Sequence, residues 1–215
     1  TTVTFVQRII TVTADNKNKT YGDSDPSFTY AVTSGTMNGS DTLSGLLARS
    51  SGANTGDYSI TQGSLTNANY AITFVPGTLT IDRKSITVTA ADKTKQYGDA
   101  DPDLTYSITN GATLIIGDSF NGMLSRDADA GVGTHAIQQG TLALSSNYTL
   151  TFVAGTLTIE TRAVTVSADA KAKQYEQADP LFTYQVTAGS LVDGDLLSGE
   201  LTRNSGTAVG THTIT

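Results

Sequence analysis

The chain has 215 residues, no cysteine, no tryptophan, and 20 acidic residues against 13 basic ones, for a formal net charge of −7. Its Lys and Arg residues are dispersed without a run, which argues against a phosphate-neutralising nucleic-acid face, and without cysteine there is no disulfide framework. No apolar stretch is of membrane length and no signal-peptide pattern is visible; the opening "TTVTFVQRII" is short and alternating, so the chain reads as an internal segment of something longer, with no direct membrane insertion expected.

Taken in chain order, residues 2–5 ("TVTF") match "TLTI" at 78–81 when shifted by 76 positions, so residues 1–8 read as the tail strand of a preceding module. A strand over Ile10–Ala14 then leads into "KTYGDSDPSFTY" at 19–30. After it come a strand through "FTYAV", a turn at "GSDTLSG" (39–45), a strand ending at Arg49, "DYSI" at 57–60, "QGSL", and "NYAITFVPGTLTI" to Ile81. β-Branched and aromatic residues alternate with Thr along these stretches, the period of half-buried strands.

The same landmarks return. Strands over Ile86–Ala90 and Val164–Ala168 lead to "KQYGDADPDLTY" at 95–106 and "KQYEQADPLFTY" at 173–184; Tyr21 and Tyr97 lie 76 residues apart, Tyr97 and Tyr175 78 apart. A unit of that length buries its own small core, so these are modules and not solenoid turns. We place them at 9–83, 84–161 and 162–215, the third stopping at Thr215 before its final strands. That module should be incomplete, frayed or completed by another chain. Gly, Asn, Asp and Ser break any helical period, leaving at most one helical turn per module, at "GSDTLSG", "GDSFNG" (117–122) and "GDLLSG" (194–199).

The junctions "TLTIDRKSITVTA" and "TLTIETRAVTVSA" hold no Gly or Pro between Ile81 and Ile86 or between Ile159 and Val164. Such linkers are short and extended. Both steps span five residues, an odd number, so a continuous strand would present opposite faces to successive modules and rotate them by about half a turn. The expected assembly is an elongated, semi-rigid rod of modules.

Asp25-Pro26, Asp101-Pro102 and Asp179-Pro180 read as turn punctuation, proline fixing its own φ and holding the aspartate out of the helical region. Gly22 and Gly98 permit positive φ, but Glu176 in the third module argues that a left-handed residue is not required there. Tyr21, Tyr97 and Tyr175 read as core plugs whose hydroxyls reach backbone partners, with ligand stacking as the alternative. His135 and His212 fall where the first module has Tyr58, a substitution that suits strand packing or exposure better than a catalytic base. Asp99, Asp101 and Asp103 alternate as calcium ligands would, though the other modules lack the full set and no glutamate follows; a solvated acidic turn is the competing reading. With no Gly-x-Ser-x-Gly elbow and no His or Cys cluster, no catalytic residue and no cofactor are expected.

The series "ITVTADNKNKTYGDSDPSFTY", "GSDTLSG", "NTGDYSITQGSL" and "NYAITFVPGTLTI" resembles the MBG domain of the YGX type, which recurs in tandem in large bacterial surface and secreted adhesins. The resemblance covers essentially the whole chain, as two full units and one partial one. It implies an extracellular bacterial protein built of mainly β, β-grasp-like modules, with Ig-like β-sandwich repeats as the alternative architecture, and it offers no catalytic residues to carry over. Lys19, Lys95 and Lys173 then read either as guards of an edge strand or as one half of autocatalytic Lys–Asn cross-links. Two functions fit: a structural spacer whose partners are neighbouring modules of the same chain, or a weak multivalent repeat that binds host or matrix glycans or mucin through exposed aromatics such as Tyr58.

Overall fold

Thr alternating with Ile, Val or Leu gives the segments Ile10–Ala14, Gly77–Asp82, Ile86–Ala90 and Gly155–Glu160 one apolar face, and that face is buried. The computed structural model describes residues 1–215, and all its regular structure is β-strand. Contacts divide the chain into two compact units: Thr1–Ala90 with Tyr106–Leu124 and Gln139–Ala154, and Ala91–Thr105 with Ser125–Gln138 and Gly155–Thr215. The second sequence module contributes strands to both.

The first unit begins with β1 (Arg8–Ala14), flanked by antiparallel β3 (Tyr30–Ser34) and parallel β6 (Tyr70–Val75) in the order β3-β1-β6. Its second sheet has the order β2-β7-β5-β4, from β2 (Lys17–Thr20), β4 (Ala48–Arg49), β5 (Gly56–Thr61) and β7 (Gly77–Asp82). The last strand of the module, β7, is therefore internal: it runs parallel to β2, with Leu79 opposite Lys17, and antiparallel to β5, with Leu79 opposite Tyr58. Ile10, Val12, Leu65 and Tyr70 form one core cluster and Ala14, Ile60, Leu79 and Ile81 another, with Leu47 and Phe74 packed against both. Each fully buried Ile or Leu contributes about 1.5–3 kcal/mol relative to exposure. The unit's third sheet repeats the first: β8 (Lys84–Ala90) lies between antiparallel β10 (Tyr106–Ile108) and parallel β13 (Tyr148–Val153).

The second unit repeats the four-stranded pattern. β14 (Gly155–Glu160) lies between parallel β9 (Lys93–Gln96) and antiparallel β12 (Gly133–Gln138), with β11 (Ser125–Arg126) beyond β12. Leu157 and Ile159 are buried in it as Leu79 and Ile81 are in the first unit. Its other sheet is the pair β15 (Thr165–Ala168) and β16 (Tyr184–Ala188), antiparallel. β15 has one partner only, and Val166 is 45% exposed where the corresponding Val12 and Val88 are fully covered.

The mainly β expectation holds, and three local ones are corrected. The Gly-Asp segments form no helical turn; each closes a single four-residue turn, Asp41 N to Asn38 O, Asp118 N to Ile115 O and Asp195 N to Val192 O, at 2.9–3.0 Å. The strand at the first junction is not continuous, since Arg83 separates β7 from β8 and each joins its own sheet. Finally, the turn after β2 does require a left-handed residue. Asp23 N bonds Thr20 O, Asp99 N bonds Gln96 O and Gln177 N bonds Gln174 O, and the third residue of each turn has φ of +88° at Gly22, +82° at Gly98 and +66° at Glu176. The hydrogen bond fixes the turn, and Glu176 accepts the strain as the only non-glycine residue of positive φ.

Replacing Glu176 with Gly should therefore raise stability by about 0.5–1 kcal/mol, the steric relief exceeding the extra chain entropy of glycine. Urea denaturation followed by a probe in the third repeat measures it.

Candidate functional site

β2 and β4 are the opposite edges of one sheet, and a single carboxylate joins them. Lys19 on β2 and Arg49 at the end of β4 both reach Asp25, at 2.8 and 2.6 Å. The arrangement recurs as Lys95–Asp101–Arg126, at 2.7 and 2.6 Å, and as Lys173–Asp179–Arg203, at 2.7 and 3.0 Å. Each cation also donates to backbone. Lys19 Nζ bonds Asp23 O, and Arg49 Nη1 bonds Ser50 O and Gly52 O; Lys95, Arg126, Lys173 and Arg203 do the same at their positions. The cluster is thus a charge-assisted clamp in which turn carbonyls take the remaining donors.

The clamp revises two expectations. The Asp-Pro pairs do not close the turn, which ends before them; Pro26, Pro102 and Pro180 are half-buried in irregular chain and keep each aspartate extended between its two cations. Lys19 does stand on an edge strand, but its side chain is 10% exposed and turned to Asp25 instead of guarding the edge. Its nitrogen meets an aspartate and a carbonyl, not an asparagine, and Arg49 keeps that carboxylate ionised.

Arg49 first and then Lys19 hold the Asp25 carboxyl below its ordinary range; Arg126 and Lys95 do so for Asp101, and Lys173 and Arg203 for Asp179. A depressed folded-state carboxyl stabilises the protein above its unfolded value, about pH 3.9, and that contribution is lost as pH falls through the lower folded value. Asp25→Ala, which leaves two largely covered cations unpaired, should cost about 1–3 kcal/mol at pH 7. In denaturation curves taken at successively lower pH, its difference from the parent should shrink below about pH 3.9.

A second constellation joins successive repeats. In the first unit, Tyr21, following β2 of repeat 1, donates its hydroxyl to Asp118 Oδ2 of repeat 2 at 3.1 Å; Tyr148 donates to the same oxygen at 2.5 Å. The two rings meet edge to face, with centroids 5.4 Å apart. The Asn147 amide adds bonds to Thr55 N and Asn54 Oδ1, both at 3.0 Å, and the Ile115 side chain covers Gly22 so closely that a Cβ there would collide with it. In the second unit Tyr97 of repeat 2 donates to Asp195 of repeat 3 at 3.2 Å, and Val192 covers Gly98. Arg162 ties that joint further, to Asp99 at 2.9 Å and to Tyr97 O.

The tyrosines therefore reach a carboxylate of the next repeat instead of a local backbone partner. Asp118 and Asp195 carry no sequence signal beyond their place in the recurring Gly-Asp turn, which both close. Asp41 occupies that place in repeat 1 and accepts Tyr70 at 2.7 Å. Tyr175, the third member of the tyrosine series, is 62% exposed.

Burial first, then the bond to Asp118, raises the Tyr21 and Tyr148 phenols above their ordinary value; the Asp195 charge is the main cause at Tyr97. Raised phenols mean that the latch is fully present below about pH 10 and fails as pH rises through the folded values. Asp118→Ala should bring the Tyr21 and Tyr148 titrations back toward about pH 10, measured by phenolate absorbance.

The remaining candidates have internal roles. Tyr58 is half-buried against the Ile60–Leu79 cluster, donates to Asn54 O at 2.8 Å and lies under the Arg49 guanidinium, so it is not the exposed platform expected. His135 Nε2 meets Gly131 O at 2.8 Å and His212 Nε2 meets Ala208 O at 3.0 Å; each ring spans back four residues as Tyr58 does. The acidic turn does not fit calcium: Asp99 pairs with Arg162, Asp101 with Lys95 and Arg126, Asp103 is exposed, and no three acidic or histidine side chains converge.

No curated protein and no solved structure matches the chain. The family model of the MBG domain (YGX type) matches it three times, over residues 10–80, 86–158 and 164–215. Each span contains one clamp, and in the first two the Tyr-Gly pair supplies the latch donor and the left-handed turn residue. The chain belongs to the MBG domain (YGX type) family, as three tandem repeats.

Proposed function

We propose that these repeats are non-enzymatic stalk or spacer modules of a bacterial cell-surface or secreted adhesin, projecting an adhesive region carried elsewhere in the same protein. The observation that carries this reading is the repetition of the joint: at both junctions a tyrosine of one repeat is bonded to the aspartate of the next, beside an aliphatic side chain seated on a glycine. A spacer needs fixed joints more than it needs a converging polar site. The polar clusters that recur are satisfied by ion pairs and carbonyls within each repeat. The inward turn of Tyr58 removes the aromatic contact on which glycan binding was to rest. Excess negative charge suits tandem copies that must stay soluble outside the cell.

Glycan and mucin arrays probed with the whole chain test the reading. No binding is expected at high protein concentration. Saturable binding abolished by Tyr175→Ala, the most exposed of the landmark tyrosines, would replace the spacer with a multivalent adhesive repeat.

A further inference from the structure

We propose that Tyr21 and Tyr148 form a covalent modification site: under a peroxide oxidant their rings couple, carbon to carbon, into a dityrosine that bonds repeat 1 to repeat 2. This goes beyond the spacer reading, since it concerns the chemistry of one joint and holds whatever the chain projects.

Composition directs oxidation to tyrosine. With no cysteine and no tryptophan, the chain offers a one-electron oxidant its readiest donors among nine tyrosines. Of these, Tyr21 and Tyr148 have rings in contact, edge to face with centroids 5.4 Å apart. Tyr106 meets Phe120, which has no hydroxyl and forms no phenoxyl. The hydroxyl ends of Tyr21 and Tyr148 converge, because Asp118 Oδ2 accepts from both, at 3.1 and 2.5 Å. In a phenoxyl radical the unpaired electron resides largely on the oxygen and on the carbons ortho and para to it. The shared acceptor therefore draws together the ring edges that must react, and rotation about χ2, a broad torsion, completes the approach.

Asp118 also has a chemical part. A phenol gives up an electron most readily as its proton leaves, and Asp118 Oδ2 already accepts both phenolic hydrogens. Each phenol then loses one electron and, through Asp118 to solvent, one proton. The two phenoxyls form a single bond between ortho carbons, and the hydrogen on each of those carbons moves to the oxygen of its own ring, restoring two phenols. The two electrons and two protons released reduce one hydrogen peroxide to two waters.

The fold holds the partners for this step. Tyr21 N bonds Asp82 O at 2.8 Å, Tyr148 N bonds Ser145 O at 3.1 Å, and Ile115 N donates to the Tyr148 hydroxyl at 2.9 Å while its side chain sits on Gly22. Two radicals held in this way meet at an effective concentration that a second chain in dilute solution does not reach. The bond would join residues 127 apart in sequence, and it would restrict the unfolded chain as a disulfide does.

The test illuminates the whole chain, dilute and folded, with ruthenium tris(bipyridine) and persulfate, a peroxide that takes the same two electrons; free tyrosine in a parallel sample confirms that the oxidant is active. Dityrosine fluorescence should appear in a product that still migrates as a monomer. A protease digest should contain a linked peptide pair joining Tyr21 to Tyr148, lighter by two hydrogens than the separate peptides. That pair should vanish when the chain is illuminated in unfolding urea, and Tyr21→Phe, which removes one hydroxyl, should abolish the monomer fluorescence. The linked product should unfold at higher urea than the untreated chain. Absence of the Tyr21–Tyr148 pair from the folded chain, an equal yield of it in urea, or undiminished monomer fluorescence in Tyr21→Phe would overturn the proposal. Peptide mapping of the unaltered chain decides the matter even if Tyr21→Phe fails to fold.

Discussion

One carboxylate holding both edges of a four-stranded sheet is the constraint on which each repeat depends. Lys19 and Arg49 stand on strands separated by two others, and they can share Asp25 only because the sheet curls until its edges converge. A single exposed ion pair would contribute little. Here two cations share one acid, and their remaining donors are taken by turn carbonyls, which fixes the loops as well as the charges. Because Lys19 also bonds Asp23 O, the clamp sets the turn that carries Tyr21, and so the geometry within a repeat prepares the joint between repeats. The same three residue types meet again in the third repeat, as Lys173, Asp179 and Arg203.

Much of the fold was legible in the sequence because strand periodicity is local. Alternation located β1, β8 and the "GTLTI" strands, and recurrence picked out Tyr21, Asp25, Lys19 and Arg49. Their convergence was not legible. Asp25 was read as a turn former, Lys19 as an edge guard and Arg49 as a strand end, each plausible from its neighbours alone. What unites them is the curl of a sheet whose internal strand, β7, begins 52 residues after Asp25. The latch was hidden for the same reason, since Tyr21 and Asp118 are 97 residues apart. Glu176 sets a different limit: a non-glycine residue in the sequence does not imply a relaxed backbone, since the turn hydrogen bond and the Lys173–Gln177 contact hold the left-handed conformation there.

The repeats also separate what a position must do from the residue that does it. Tyr58, His135 and His212 differ in size and titration behaviour, yet each lays a flat ring beside its strand and bonds the carbonyl four residues earlier. Ile115 and Val192 are interchangeable lids over a glycine. Asp41, Asp118 and Asp195 are acidic in all three copies, Asp118 accepting two phenols and Asp41 and Asp195 one each, and a Lys and an Arg share the clamp carboxylate in every copy.

The placement of β7 determines how a repeat would bear tension. A pull on the chain drags β7 toward its C-terminal end, while β1, and through it β2, is drawn the opposite way. β2 and β7 are parallel neighbours, paired over Lys17–Thr20 and Leu79–Asp82. Opposed forces on parallel strands load their hydrogen bonds in shear, all at once, instead of peeling them apart in turn. The ladder between β1 and β6, also parallel over six residue pairs, lies along the same path. A module threaded in this way resists extension through many bonds sharing the load, and its first yielding step is the loss of a whole ladder.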